Sequence, residues 1–121
     1  MLALWAPVIA YMALIFFISA QPSPPLPSAI TDKQGHSLGY MGLAIITGRA
    51  LAGGLANGAS LGAAAGAWAI ASTYAGTDEW HQSFVPGRSA DVHDWYADTI
   101  GSLLGAGACW VWGIIRSRAD V

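Results

Sequence analysis

Charged residues are scarce in this sequence of 121 residues, and their scarcity excludes several classes of protein. Asp, Glu, Lys and Arg make up 10% of the chain, whereas soluble domains carry about 25%. So few charges cannot coat a water-facing surface of this size. Disorder needs high charge with low hydrophobicity, but 55% of these residues are hydrophobic. The net charge of -2 with five basic residues argues against a nucleic-acid partner, because phosphate binding needs clustered Lys and Arg.

The sequence also has a single cysteine and few of the common catalytic motifs. Cys109 stands alone, which excludes an intrachain disulfide and a Cys-rich metal motif. The sequence contains no HExxH zinc motif, Walker loop or dinucleotide fingerprint, and Ser37, Ser83 and Ser89 lack the Gly-x-Ser-x-Gly setting of a nucleophile elbow. We therefore predict no cofactor and no bound metal, and the motifs name no reaction.

Long apolar stretches predict membrane-spanning helices. Leu2 to Ala20 is almost unbroken and precedes the first charge, Asp32, and it is long enough to cross a bilayer core of about 30 Å. A cleaved signal peptide is the alternative, but the positive segment that it needs before the apolar run is absent. We predict one domain over residues 1–121, an all-α polytopic membrane protein built as a four-transmembrane-helix bundle. Its spans are predicted at about residues 2–20, 32–51, 59–77 and 92–115.

The connections and the small residues fit this division. A proline-rich stretch over 22–27 cannot be helical, residues 52–58 form a glycine-rich turn, and a polar connection over 77–90 contains the turn signal Pro86-Gly87. Stripes of small residues predict close helix contacts, within the chain or in a homo-oligomer. They are Gly54, Gly58, Gly62 and Gly66 near the third span, and Gly101, Gly105, Cys109 and Gly113 on the fourth.

The charges are distributed unequally between the two sides. Four spans bring both termini to one side, and the positive-inside rule makes that side cytoplasmic because it holds three basic residues against two. Arg49, Arg116 and Arg118 are on the side of the termini, and Lys33 and Arg88 are on the other. Six of the seven acids gather at the outer ends of the spans. These acids are Asp32, Asp78, Glu79, Asp91, Asp94 and Asp98.

Helical spacing groups the polar residues into three stripes. Residues three or four apart share a helix face, and polar stripes inside a bilayer should face each other rather than lipid. We therefore predict a polar pocket that opens to the outer side. The stripes are Asp32, His36 and Tyr40 on the second span, Tyr74, Asp78 and His81 or Gln82 on the third, and Asp91, Asp94 and Asp98 on the fourth.

Three sequence blocks carry a family resemblance. They are Asp32-Lys-x-x-His36-x-x-x-Tyr40, then Asp78-Glu-x-His-Gln-x-Phe-x-Pro-Gly-Arg88, then Asp94-x-x-x-Asp98-x-x-Gly101. With these blocks the chain resembles, from about Ser19 to Gly105, the VanZ-like family of small bacterial membrane proteins, named for a teicoplanin-resistance determinant. The family usually has Asn where Asp98 stands. The resemblance implies a membrane protein of the bacterial cell envelope. With the predicted spans and the distribution of basic residues, we expect a multi-pass protein of the plasma (inner) membrane with both termini cytoplasmic.

Each polar residue has a structural and a functional interpretation. Arg88 can clamp a loop to a carboxylate or bind an anionic ligand, and Glu79 or Asp94 can act as a base or join an ion-pair network. His36 and His81 can hydrogen-bond at an interface or serve in proton transfer. They can also join carboxylates around zinc or manganese, although no dense ligand motif supports a metal. The candidates for ligand binding are Lys33, His36, Tyr40, Asp78, Gln82 and Arg88, and the candidates for catalysis are Glu79, His81 and Asp94.

Three functions remain open from the sequence. In the first, the pocket engages a lipid headgroup, a lipid-linked wall precursor or a glycopeptide-like ligand, so that the partners are membrane lipids or envelope molecules. In the second, the protein is an intramembrane enzyme that performs acid/base or phosphoryl-transfer chemistry on a lipid-linked substrate. In the third, the charged network only stabilises the bundle. The residues do not decide whether the protein is an enzyme.

Overall fold

The computed structural model describes residues 2–20, 32–86 and 92–119, where the regular secondary structure is α-helical without strands. The helices are α1 (Leu2–Ser19), α2 (Asp32–Ala52), α3 (Leu61–Gln82) and α4 (Val92–Ala119). The all-α prediction is confirmed. Two boundaries differ from the predicted spans. α3 continues five residues past Thr77, because the polar residues there include no Gly or Pro to stop a helix. α4 extends beyond residue 115 for the same reason.

Two of the described helices are long and apolar enough to cross a membrane. They are α1, over Leu2–Ser19, and α4, over Val92–Ser117. Large apolar side chains on both helices point away from the protein, among them Ile9 and Phe17 of α1 and Leu104 of α4, which are 63%, 64% and 57% exposed. A surface of this kind suits a lipid environment. α2 carries more polar residues, and α3 is rich in Ala and Gly, so both are less hydrophobic.

The pair formed by α2 and α4 is the centre of the bundle and makes its most extensive helix contact. A Cβ added at Gly101 would collide with the carbonyl oxygen of Ser37, and one at Gly105 would collide with that of Met41. Only glycine permits the two backbones to approach so closely. The predicted small-residue face of the fourth span is therefore a helix contact inside the chain.

The other predicted glycine stripe does not form the surface on which α3 packs. Gly54 and Gly58 lie in the turn before α3, with φ of 124° and 74°, and Gly62 is exposed, although Gly66 meets Leu51 of α2. Alanines fill the buried positions of α3 instead, at Ala64, Ala67, Ala71 and Ala75. Their spacing of three or four residues marks the buried face. A homo-oligomer through glycines stays a prediction.

α1 lies at the edge of the bundle. It packs against α2 and, more slightly, against α3, and within the described residues it makes no helix contact with α4. Hydrogen bonds to backbone carbonyls attach it: Tyr11 Oη donates to Gly39 O at 2.7 Å, and Tyr74 Oη donates to Met12 O at 2.6 Å. α1 therefore has the smallest contact of the four helices with the rest of the protein.

One end of the bundle is formed by the α2–α3 turn, residues 53–60, and we call it the turn end. Arg49 Nη1 donates to Ala3 O at 3.3 Å, so the beginning of α1 is at this end. Trp112 Nε1 donates to Leu55 O at 2.8 Å, and the last turns of α4 are therefore there too. This arrangement agrees with alternating helix directions, as in the predicted bundle.

Candidate functional site

Asp78 of α3 is the centre of a group of buried hydrogen bonds at the end opposite the turn end. Its Oδ2 accepts from Ser19 Oγ at 2.9 Å, from Tyr40 Oη at 3.0 Å and from Gln82 Nε2 at 3.2 Å. Asp78 is 4% exposed, and all three donors belong to residues that are at most 4% exposed. Helices α1, α2 and α3 thus meet at a single carboxylate oxygen.

The second oxygen of this carboxylate is in a different situation. Asp78 Oδ1 is buried and has no hydrogen-bond partner among the described residues. Buried polar atoms in proteins almost always have a partner, because removing them from water without one is unfavourable. Asp78 therefore has one oxygen with three donors and one that can still accept a donor.

His36 of α2 and Asp98 of α4 form a second polar contact. His36 Nδ1 lies 3.3 Å from Asp98 Oδ1, and Asp98 is 0% exposed. The two side chains are within reach because α2 and α4 approach closely where Gly101 meets Ser37. His36 is next to Ser37 on α2, and Asp98 is about one turn before Gly101 on α4. The contact is an ion pair when the imidazole is protonated.

The two groups of residues are neighbours. Tyr40 of α2 donates to Asp78, and His36, which contacts Asp98, precedes Tyr40 by about one helical turn on the same face of α2. We therefore treat them as one polar cluster drawn from all four helices. The polar cluster consists of Ser19, His36, Tyr40, Asp78, Gln82 and Asp98.

Helical periodicity explains how the sequence assembles the cluster. His36 and Tyr40 are four residues apart on α2, and Asp78 and Gln82 are four apart on α3, so each pair shares a helix face. The Asp78–Gln82 hydrogen bond lies along that face. Four ligand-binding candidates are brought together in this way, and the geometry by itself does not test their roles.

The remaining candidates lie elsewhere or outside the described residues. His81 stacks on Phe16 of α1, with ring centroids 4.2 Å apart, rather than joining Asp78. Glu79 is half-buried, and Asp94, also half-buried, precedes Asp98 by about one helical turn of α4. The catalytic role of Glu79, His81 and Asp94 stays a prediction. Arg88 and the side chain of Lys33 lie outside the described residues.

Two members of the polar cluster are missing from the sequence-based candidates. Ser19 ends an apolar run that has no polar periodicity, so no spacing argument points to it. Asp98 follows Asp94 by four residues, so helical spacing puts both in the same stripe. Only the complete burial of Asp98 distinguishes it from Asp94. Within the described residues, no group of three or more His, Cys, Asp or Glu side chains is arranged to hold a metal ion.

Ser60 lies in a Gly-x-Ser-x-Gly sequence, Gly58 to Gly62, and Ser37, contrary to expectation, lies in another, Gly35 to Gly39, within α2. In a nucleophile elbow this sequence turns a strand into a helix beside a histidine. Here Ser60 caps α3, with its Oγ accepting from Ala63 N at 3.1 Å, and it lies at the turn end, far along the bundle from His36 and His81. Ser60 is therefore a helix cap, without the setting of a catalytic serine.

Comparison with known proteins identifies the family. The sequence model of the VanZ/LLP1 family matches residues 38–113, which is more than half of the chain. The matched region contains Tyr40, Asp78, Gln82 and Asp98 of the polar cluster. Neither a curated protein nor a solved structure matches the chain.

Proposed function

The chain belongs to the VanZ/LLP1 family, and we propose that it is an integral membrane protein of the bacterial cell envelope whose polar cluster engages the polar group of an envelope lipid. The observation that carries this proposal is the burial of Asp78 and Asp98 in a bundle with an apolar exterior. Ionisable residues inside membrane proteins are rare, and they tend to mark functional sites because burying them is unfavourable.

The proposed arrangement has four spans and both termini in the cytoplasm. α1 and α4 meet the length and hydropathy expected of membrane spans. α2 and α3 pack with α4 along much of their length, and such contacts allow less hydrophobic helices to lie in a bilayer. Arg49 and Arg116 lie towards the turn end, which supports a cytoplasmic position for it under the positive-inside rule. The polar cluster is then at the outer side.

A lipid is the ligand that this position favours. The polar cluster lies where a headgroup meets the bilayer core, and Asp78 Oδ1 offers an acceptor that no described residue uses. A lipid-linked wall precursor or a glycopeptide-like molecule presents related polar groups at the same depth. Lowered susceptibility to teicoplanin-like glycopeptides is the activity that the family name implies, and it would follow from binding of this kind at the membrane surface.

Mass spectrometry of copurifying molecules tests the proposal. We would purify the wild-type chain, Asp78→Asn and the control Asp120→Asn in the same detergent and compare the bound lipids. Asp78→Asn is nearly isosteric, and Asp120→Asn makes the same chemical change outside the polar cluster. We expect one class of lipid or lipid-linked molecule to be enriched with the wild type and Asp120→Asn and depleted with Asp78→Asn.

The interpretation depends on folding, which thermal unfolding in detergent measures for each variant. If Asp78→Asn is folded and carries the same lipids as the wild type, the polar cluster has only a structural role and the proposal is wrong. If Asp78→Asn does not fold, Tyr40→Phe replaces it, because that variant removes one donor and keeps the carboxylate.

A further inference from the structure

We propose that the group bound by the polar cluster is a primary ammonium, as carried by the headgroup of an aminolipid. This inference rests on the proposed function and specifies the ligand chemistry of the same site. It starts from Asp78, which is 4% exposed and accepts three hydrogen bonds at Oδ2 but none from a described residue at Oδ1.

The charges around Asp78 indicate a cationic ligand. Its three donors, from Ser19, Tyr40 and Gln82, are a pair of hydroxyls and an amide, and none of them carries a charge. Within the polar cluster, His36 is the side chain that can carry a positive charge, and it contacts Asp98. A buried carboxylate is stabilised most by an opposite charge that also donates hydrogen bonds. Asp78 lacks such a charge among these residues.

The open acceptor positions select among cations. Asp78 Oδ1 and Asp98 Oδ2 are both buried and have no hydrogen-bond partner within the described ranges. A primary ammonium has three N–H donors, which is enough for two acceptor oxygens. A quaternary ammonium has no N–H to donate. The absence of a three-residue metal-binding group from the described part of the chain argues against a metal ion.

Anionic groups fit the polar cluster less well. Asp78 contacts Tyr40 and Asp98 contacts His36, one helical turn apart on α2, so a phosphate in the polar cluster would meet like charge from both carboxylates. The phosphate of an aminolipid therefore lies outside the polar cluster, and the ammonium points inward. This orientation separates an aminolipid from an anionic lipid with the same acyl chains.

Ser19 is itself buried, so a ligand can enter beside it only if part of the bundle moves. It belongs to α1, which has the smallest contact with the other helices and makes none with α4 in the described ranges. Its hydroxyl is one of three donors on Oδ2, so Asp78 keeps Tyr40 and Gln82 when Ser19 moves away. The ammonium therefore reaches the carboxylates by displacing the end of α1.

Thermal unfolding of the full chain in detergent, with added lipid, tests the inference. The probes are phosphatidylethanolamine, phosphatidylcholine and phosphatidylglycerol with identical acyl chains, and soluble O-phosphoethanolamine serves to separate the headgroup from the lipid. We expect phosphatidylethanolamine to bind at least about tenfold more tightly than the other two lipids, because a charge-assisted hydrogen bond is worth about that factor. Asp78→Asn should abolish the preference, and Asp120→Asn should retain it.

The outcomes separate this inference from the proposed function. If all three lipids stabilise the protein equally and the effect still depends on Asp78, the bound group is not a primary ammonium. The proposal that the polar cluster engages a lipid headgroup then stands. If none of the three lipids stabilises the folded wild-type protein, the ligand is not the ammonium of a glycerophospholipid. If, in addition, Asp78→Asn carries the same copurifying lipids as the wild type, the proposed function is wrong as well. Stabilisation by O-phosphoethanolamine alone assigns the ammonium to a soluble molecule and overturns the aminolipid.

Discussion

Ser19 Oγ donates a hydrogen bond of 2.9 Å to Asp78 Oδ2 and so ties the last residue of α1 to α3 across 59 positions of the chain. Tyr40 and Gln82 donate to the same oxygen. The Ser19–Asp78 bond is the contribution of α1 to the polar cluster. It joins α1, the helix with the smallest contact with the rest of the protein, to the buried Asp78 of α3.

Ser19→Ala should loosen the end of α1 and leave α4 unchanged. The variant loses one buried hydrogen bond, which is worth about 1 kcal/mol, and the loss is confined to α1 because that helix makes no described contact with α4. Hydrogen exchange should show faster exchange in the last turn of α1. Ser83→Ala is the control, since Ser83 Oγ bonds to Trp80 O within its own segment. Equal acceleration in α4 would contradict the prediction.

Gly105→Ala should destabilise the protein, whereas Gly107→Ala should not. An added Cβ at residue 105 collides with the carbonyl of Met41, whereas one at residue 107 meets no atom within 4 Å. Overpacking of this kind costs about 1–3 kcal/mol, and alanine in an open helical position gains up to about 1 kcal/mol over glycine. Thermal unfolding in detergent should therefore move in opposite directions for the two variants. A shift in the same direction would show that α2 and α4 are less tightly packed.

Tyr40→Phe should lower the free energy of unfolding by about 1 kcal/mol, because Asp78 loses one of its three donors while the ring still fills its site. Tyr96→Phe is the matched control, since Tyr96 is 50% exposed. Thermal unfolding of the two variants in the same detergent makes the comparison. An equal effect of both substitutions would mean that the Tyr40–Asp78 bond contributes nothing to stability.

Cysteine labelling should find the two ends of the bundle on opposite sides of the membrane. Asn57 is exposed in the α2–α3 turn, and Ser83 is exposed just after α3. We would introduce Asn57→Cys and Ser83→Cys separately into a Cys109→Ala background, which has no other cysteine. A membrane-impermeant maleimide should label Ser83→Cys in whole cells and Asn57→Cys after permeabilisation only. Labelling of both from outside would exclude the proposed topology.

The sequence was sufficient to predict the helices and part of the polar cluster. Apolar runs separated by Pro and Gly predicted four helices near their observed positions, and the spacing of four residues placed Asp78 and Gln82 on a common face, where they are hydrogen-bonded. Such predictions succeed because they depend on one helix at a time.

Features that depend on how helices meet could not be predicted in this way. Ser19 is part of the polar cluster because α1 ends beside Asp78, and its own segment contains no periodic signal. His81 follows Asp78 by three residues, yet it stacks on Phe16 because α1 occupies that side of α3. The rotation of a helix against its neighbours is decided by packing, to which glycine and alanine contribute differently at each interface.

The α2–α3 turn has a consequence for how the bundle deforms. Its backbone is latched to α4 by Trp112 at Leu55 and by the amide of Ala59, which donates to Cys109 O at 3.1 Å. Gly58 and Gly113 lie against each other there without room for a side chain. Helices α2, α3 and α4 are therefore held together at the turn end. If they separate, they rotate about that end, and the displacement is largest around the carboxylates of Asp78 and Asp98.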